Sequence, residues 1–206
     1  LLWLAGGAFM ASGIGGALSG KLAPALAVRI GVGLELLGVI GVALLSNDQT
    51  GWGPIAPCLF IYGLGIGLAT AQLTGVIMVD VPMKQIGQAS GSQSTVRQIG
   101  SALGIAVLGT VLFTQVQSAL TAKLADLGFT GAGADEFTNS VVESAGGVIP
   151  VFETTPQVPA EYVQAAKDAF TEGSQWAAVS AALFLAIGFI ATFRLSKHQH
   201  GEKASK

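Results

Sequence analysis

Five mostly apolar stretches, at about residues 1–19, 30–45, 55–79, 99–115 and 176–193, leave a chain of this kind few ways to fold. A helix rises about 1.5 Å per residue, so about 20 apolar residues match the roughly 30 Å hydrocarbon core of a bilayer. In lipid every backbone N–H and C=O must bond within the protein, and a helix does this inside its own segment. Composition agrees: 11% of the residues are charged, against about 25% in soluble domains. The expected fold is all-α, a polytopic transmembrane helical bundle with the lipid bilayer as its main partner. Glycine is frequent in such helices, and Gly16/Gly20, Gly63/Gly67, Gly87/Gly91 and Gly100/Gly104 have the small-xxx-small spacing that lets backbones approach closely.

Charge placement sets an expected orientation. Lys21 and Arg29 flank the first connection, Lys84 and Arg97 the third, and Arg194, Lys197, Lys203 and Lys206 follow the last span. If all five stretches cross, eight of the ten Lys/Arg lie on one side, which the positive-inside rule makes cytoplasmic. A multi-pass protein of the cell membrane follows, with its tail, residues 194–206, inside. The chain opens on Leu1 within an apolar run that has no basic n-region or small-residue cleavage site. That run is expected to be a truncated span and not a signal peptide.

Residues 116–175 are the only sizeable polar region, carrying Lys123 and Lys167 against Asp126, Asp135, Glu136, Glu143, Glu153, Glu161, Asp168 and Glu172. The same charge argument places this segment outside the cell. Its flanks read as helical stubs, 116–127 and 159–172. Its middle, rich in Gly, Thr and Pro, reads as an irregular connector that tolerates shortening because few of its groups need burial.

Ionisable residues inside spans are costly and are functional candidates by default. Glu35, about one and a half turns into the second stretch, is a candidate for proton coupling, or else a carboxylate paired with Arg29. Asp80, ending the third stretch before Val81-Pro82, is the other candidate, or else pairs with Lys84 or Arg97. A substrate site near the midplane combines apolar bulk with a few polar groups. Thr70, Gln72 and Thr74, with Phe9 and Met10, make such a set. Gln72 ranks first because an amide both donates and accepts, although an interhelical hydrogen bond would use it equally well.

Other chemistries find little support. Cys58 has no partner for a disulfide and reads as a small buried hydrophobe. His198 and His200 sit in the tail without further ligands, so no metal and no cofactor is expected beyond protons as coupling ion. Gly63-Leu-Gly65-Ile-Gly67 has no strand before it and no Lys-Ser/Thr after it, which excludes a nucleotide loop. No basic stripe suggests nucleic acid, and no set of paired catalytic groups suggests an enzyme.

The run from Gly63 to Gly109 resembles the fourteen-helix drug/proton antiporters of the EmrB/QacA type within the major facilitator superfamily. The resemblance is carried by Gly63-Leu-Gly65-Ile-Gly67, Val81-Pro82, Gly87-Gln-Ala-Ser-Gly91 and Arg97-Gln98-Ile-Gly100-Ser-Ala-Leu-Gly104-Ile-Ala106. The long outer segment before the last helix is also similar. The chain then looks like helices ten to fourteen, part of the C-terminal half, with the N-terminal helices of the same protein as its partner. Gly16, Leu18 and Lys21 match a degraded copy of the superfamily's loop motif, with Gly20 where an aspartate is usual. The resemblance implies export of hydrophobic or cationic small molecules against proton entry, by alternating access. A different class stays open from the residues alone: a non-transporting membrane scaffold or sensor whose 116–175 cap binds a ligand or protein.

Overall fold

The computed structural model describes residues 2–18, 23–46, 52–78 and 81–201. Lys21, Asp80, Lys203 and Lys206 lie outside them. Seven α-helices carry the described chain: α1 Leu2–Leu18, α2 Pro24–Leu45, α3 Trp52–Met78, α4 Ile86–Asp126, α5 Ala132–Glu143, α6 Ile149–Glu153 and α7 Ala160–Gly201. A 3-10 turn, Met83–Gln85, precedes α4, and no strand occurs among the described residues. Four segments are long and apolar enough to cross a bilayer: Pro24–Leu45, Gly53–Met78, Met83–Asp126 and Ala160–Phe193; α1 is shorter and apolar.

α2 begins six residues before the expected Ile30. Pro24 stands at its first position, where a missing N–H costs nothing and the fixed φ is already helical. The carbonyl of Ala23 accepts from the amides of Leu26 and Ala27, closing the first turn. α4 likewise starts at Ile86 and not near 99, and runs unbroken for 41 residues.

The chain divides into two compact units, Leu1–Val42 with Gly51–Leu103 and Ala181–Lys206, and Ala43–Thr50 with Gly104–Ser180. In the first unit, α1 lies on α3 at backbone distance. A Cβ on Gly63 would strike the carbonyl oxygen of Leu4, one on Gly67 that of Ala8, and one on Gly7 that of Phe60. Leu4 pairs with Gly63, Ala8 with Gly67 and Gly15 with Gln72, so the two helices run parallel. Along α2 the order reverses, Gly31 meeting Ala69, Glu35 meeting Gly65, Gly38 meeting Tyr62 and Gly41 meeting the Cys58 sulfur. α2 is therefore antiparallel to α3, and Cys58 is a half-buried packing residue. Arg29 meets Phe193 and Gly33 meets Phe189, which sets the end of α7 antiparallel to α2 as well. The ends of α1, α3 and α7 thus share one end of this unit with the start of α2.

At four further glycines no close packing occurs among the described residues. A Cβ placed on Gly87, Gly91, Gly100 or Gly104 would meet no atom within 4 Å among the described residues; the first two and the last two lie on different sides of α4. Val96, Leu103 and Ile105 beside them are 69%, 61% and 73% exposed.

The second unit corrects the reading of 116–175 as two stubs and an irregular join. Its middle holds α5 and α6, and it has a core of its own. Val116, Leu120 and Leu124 form an i, i+4, i+8 stripe on α4 that packs with Ala134 and Val141 of α5, Ile149 of α6, and Val163, Ala166 and Ala169 of α7. Leu120, Leu124, Val116 and Val141 have no exposed surface, and each such side chain contributes about 1.5–3 kcal/mol by leaving water. Trimming 131–155 would remove α5 and α6 from this core, so the segment is not a dispensable connector. Gly128, at φ 78°, closes α4 in a Schellman turn, in which the Phe129 amide bonds the Leu124 carbonyl at 2.9 Å.

Candidate functional site

The polar residues expected along α3 divide into two roles. Gln72 is buried, and its Nε2 donates to the Gly15 carbonyl of α1 at 2.9 Å. A Cβ on Gly15 would sit at ordinary contact distance, 3.8 Å from that nitrogen and 3.4 Å from Leu68, so the bond uses the backbone carbonyl and does not depend on the missing side chain. The amide therefore joins two helices. Thr70 and Thr74 are exposed, and Thr74 Oγ1 accepts from Gln93 Nε2 of α4 at 3.2 Å.

Gln93 is a residue that sequence reasoning missed. Its signal was the run Gln88-Ala-Ser90-Gly-Ser92-Gln93-Ser94-Thr95, polar but uncharged, which the structure makes the first turns of α4. Uncharged polar groups on a helix of this hydropathy are costly against lipid and fit a wet cavity or a further helix. Phe9 and Met10 make no contact with the α1–α3 seam among the described residues. The α3-facing side of α1 is Leu4, Gly7, Ala8, Ala11 and Gly15, whereas Phe9 and Met10 lie off it and are 84% and 52% exposed.

Glu35 is deeper than expected. Because α2 starts at Pro24, Glu35 is the twelfth of its 22 residues, and it lies against Gly65 of α3. No ion pair or hydrogen bond engages its carboxylate among the described residues. The anticipated pairing with Arg29 is absent, since that guanidinium stacks over Phe193, 4.2 Å from the ring centroid, and donates to the Thr192 carbonyl at 3.5 Å. Arg29 Nε is buried without a hydrogen-bond partner. Asp80 and Lys21, the remaining charged candidates on these connections, are outside the described residues, as are the surroundings of Gly16. Arg97 is exposed on α4 and makes no ion pair among the described residues.

Comparison with known proteins fits this helical, carboxylate-poor arrangement. The Major Facilitator Superfamily profile matches residues 1–105. The chain is 28% identical to multidrug resistance protein Stp of Mycobacterium tuberculosis over 185 residues, 87% of this chain and 34% of that protein. It is 29% identical to a tetracycline resistance determinant of Streptomyces rimosus over 180 residues, 79% of this chain and 52% of that protein. It is also 34% identical to a probable actinorhodin transporter of Streptomyces coelicolor over 115 residues, 54% of this chain and 20% of that protein. The chain thus spans about a fifth to about half of these relatives. No solved structure matches it. With half of its length covered by the profile and its apolar helices built as spans, this multi-pass membrane chain belongs to the Major Facilitator Superfamily.

Proposed function

We propose that the chain is the C-terminal part of a proton-coupled secondary transporter of the fourteen-helix type, exporting hydrophobic or cationic small molecules by alternating access. The observation that carries this is the similarity to a multidrug resistance protein along 87% of the chain. Alternating access needs two bundles rocking about a shared site, so the missing N-terminal helices are required partners. The uncovered positions of α4 at Gly87, Gly91, Gly100 and Gly104 are where this reading seats them.

In that assembly Thr70, Thr74 and Gln93 contact substrate, while Gln72 holds α1 to α3 and positions them. Glu35 is the stronger coupling candidate, because it is a mid-helix carboxylate without a cation beside it. The end of the first unit that gathers the ends of α1, α3 and α7 with the start of α2 carries the basic connections. By the positive-inside rule it is cytoplasmic, and residues 116–175 face outward.

The test uses the full-length protein in proteoliposomes with ethidium as the cationic probe. Ethidium movement should follow an imposed pH gradient and vanish when an ionophore collapses it. Movement that ignores the gradient would remove proton coupling, and no movement of any hydrophobic or cationic probe would remove export. Glu35→Gln should abolish gradient-driven transport while leaving substrate-for-substrate exchange intact. A reporter after Lys206 that behaves as extracytoplasmic would overturn the orientation.

A further inference from the structure

Residues 129–162 enclose a cleft of about 500 Å³ that the transport reading does not use. Its walls are aromatic. Phe129, from the turn after α4, stacks on Tyr162 of α7 with ring centroids 4.6 Å apart and planes at 9°. Phe137 of α5 stacks on Phe152 of α6 at 4.8 Å and meets Tyr162 edge-on at 6.3 Å. Three helices and the turn after α4 thus bring four rings to one opening, which Glu136 and Ser140 also line. Ser140 Oγ donates to the Glu136 carbonyl at 2.9 Å, and the Glu136 carboxylate enters no ion pair among the described residues.

Charge selects the occupant. The two lysines of this region are already held, Lys123 by Glu172 at 3.7 Å and Lys167 by Glu153. The other six carboxylates between 116 and 175 have no ion-pair partner among the described residues, and their summed field attracts cations. An anion is repelled. A neutral hydrophobe entering the cleft would strip water from Glu136 without replacing it. A small metal ion would find one carboxylate and no other ligand, for no cluster of three metal-binding side chains exists among the described residues. An ammonium carried on an apolar frame meets these features together: its charge faces Glu136 and its carbon surface faces the rings.

We propose that this cleft is a binding site for a hydrophobic organic cation of the quaternary or tertiary ammonium class, separate from the residues of the transport reading. Binding is measured directly by titration calorimetry of the whole chain in lipid nanodiscs. Benzyltrimethylammonium serves as probe, because it is water-soluble and partitions little into lipid. Glu136→Gln, an exposed substitution that leaves the core intact, should weaken binding about fivefold or more. Asp135→Asn removes the same charge one residue away on α5, outside the cleft, and should change affinity less than about twofold. Ser140→Leu should block binding by filling the opening. Equal weakening by Glu136→Gln and Asp135→Asn would reduce the site to a diffuse negative surface, and unchanged binding in Ser140→Leu would place the probe elsewhere. Either result overturns the proposal, as does equally tight binding of the neutral benzyl alcohol. Since no transport is read, failure here would leave the export reading untouched, and the reverse.

Discussion

Between α1 and α3 the closest approaches are of glycine to carbonyl, at Gly63 and Leu4 or Gly67 and Ala8, whereas beneath α5 they are of side chain to side chain, around Leu120, Leu124 and Val141. The two kinds of contact answer to two solvents. In water, burying a leucine is the driving force, so 116–170, under the reading proposed above that sets it outside the bilayer, folds by gathering its large apolar groups. In lipid, an exposed leucine loses nothing, and association rests on close van der Waals approach through small residues. Leu183 and Ile190 of α7, 62% and 68% exposed, need no cover under the second rule and would be defects under the first.

The comparison can be broken most sharply at Leu120. Leu120→Ala should destabilise the 116–170 core by about 2–5 kcal/mol, while Leu183→Ala should change stability by less than about 0.5 kcal/mol. Hydrogen exchange of the α5 amides in nanodiscs reads both. Equal effects would mean that the two regions share one packing rule. Next in size, Gly63→Ala should cost about 1–3 kcal/mol by forcing α1 off α3, whereas Gly100→Ala should be neutral or mildly stabilising in this chain, since its Cβ meets nothing. Unfolding in mixed micelles compares them, and a costly Gly100→Ala would show a helix seated on α4. Gly128→Ala puts a side chain on a residue at φ 78° and should cost about 1 kcal/mol, felt as faster exchange at the end of α4. Smallest is Gln72→Leu, about 0.6 kcal/mol and at most about 1.7. In the full transporter it should lower every substrate together. A reordering of substrate preference would return Gln72 to the contact set.

Much of this was readable from residues alone, and what was not has physical causes. The apolar runs announced the helices, and Gly63/Gly67 announced the seam, because composition and small-residue spacing act locally. Pro24 was a start signal for α2, but Arg29 obscured it. A charge that looks like a flank can sit within a helix when a ring such as Phe193 covers it, and that ring lies 164 residues away. The error in the start moved Glu35 from near a helix end to its middle. The stripe Val116, Leu120, Leu124 was visible as helical spacing, yet its partners Ala134, Val141 and Ala166 are small or isolated and declare themselves only once folded together. Gln72 stood out in the sequence as an amide deep in an apolar run, and in the structure it is buried between α1 and α3. The bond it makes here is to the Gly15 carbonyl of α1, 57 residues away, which no local pattern connects to it.

A seam made of backbone has one more property. Interlocked side chains behave like gear teeth, and moving one helix past another requires them to disengage together. Glycines against carbonyls offer a smooth bearing surface, on which α1 and α3 keep their separation while their register is fixed elsewhere. Here the directional stops stand at the two ends, the Trp3–Phe60 ring contact at 6.5 Å and the Gln72–Gly15 bond at 2.9 Å. Small axial sliding between packed helices is one of the ways domains change state. In this pair such a stroke meets its main resistance at those two stops, and the length between them offers little.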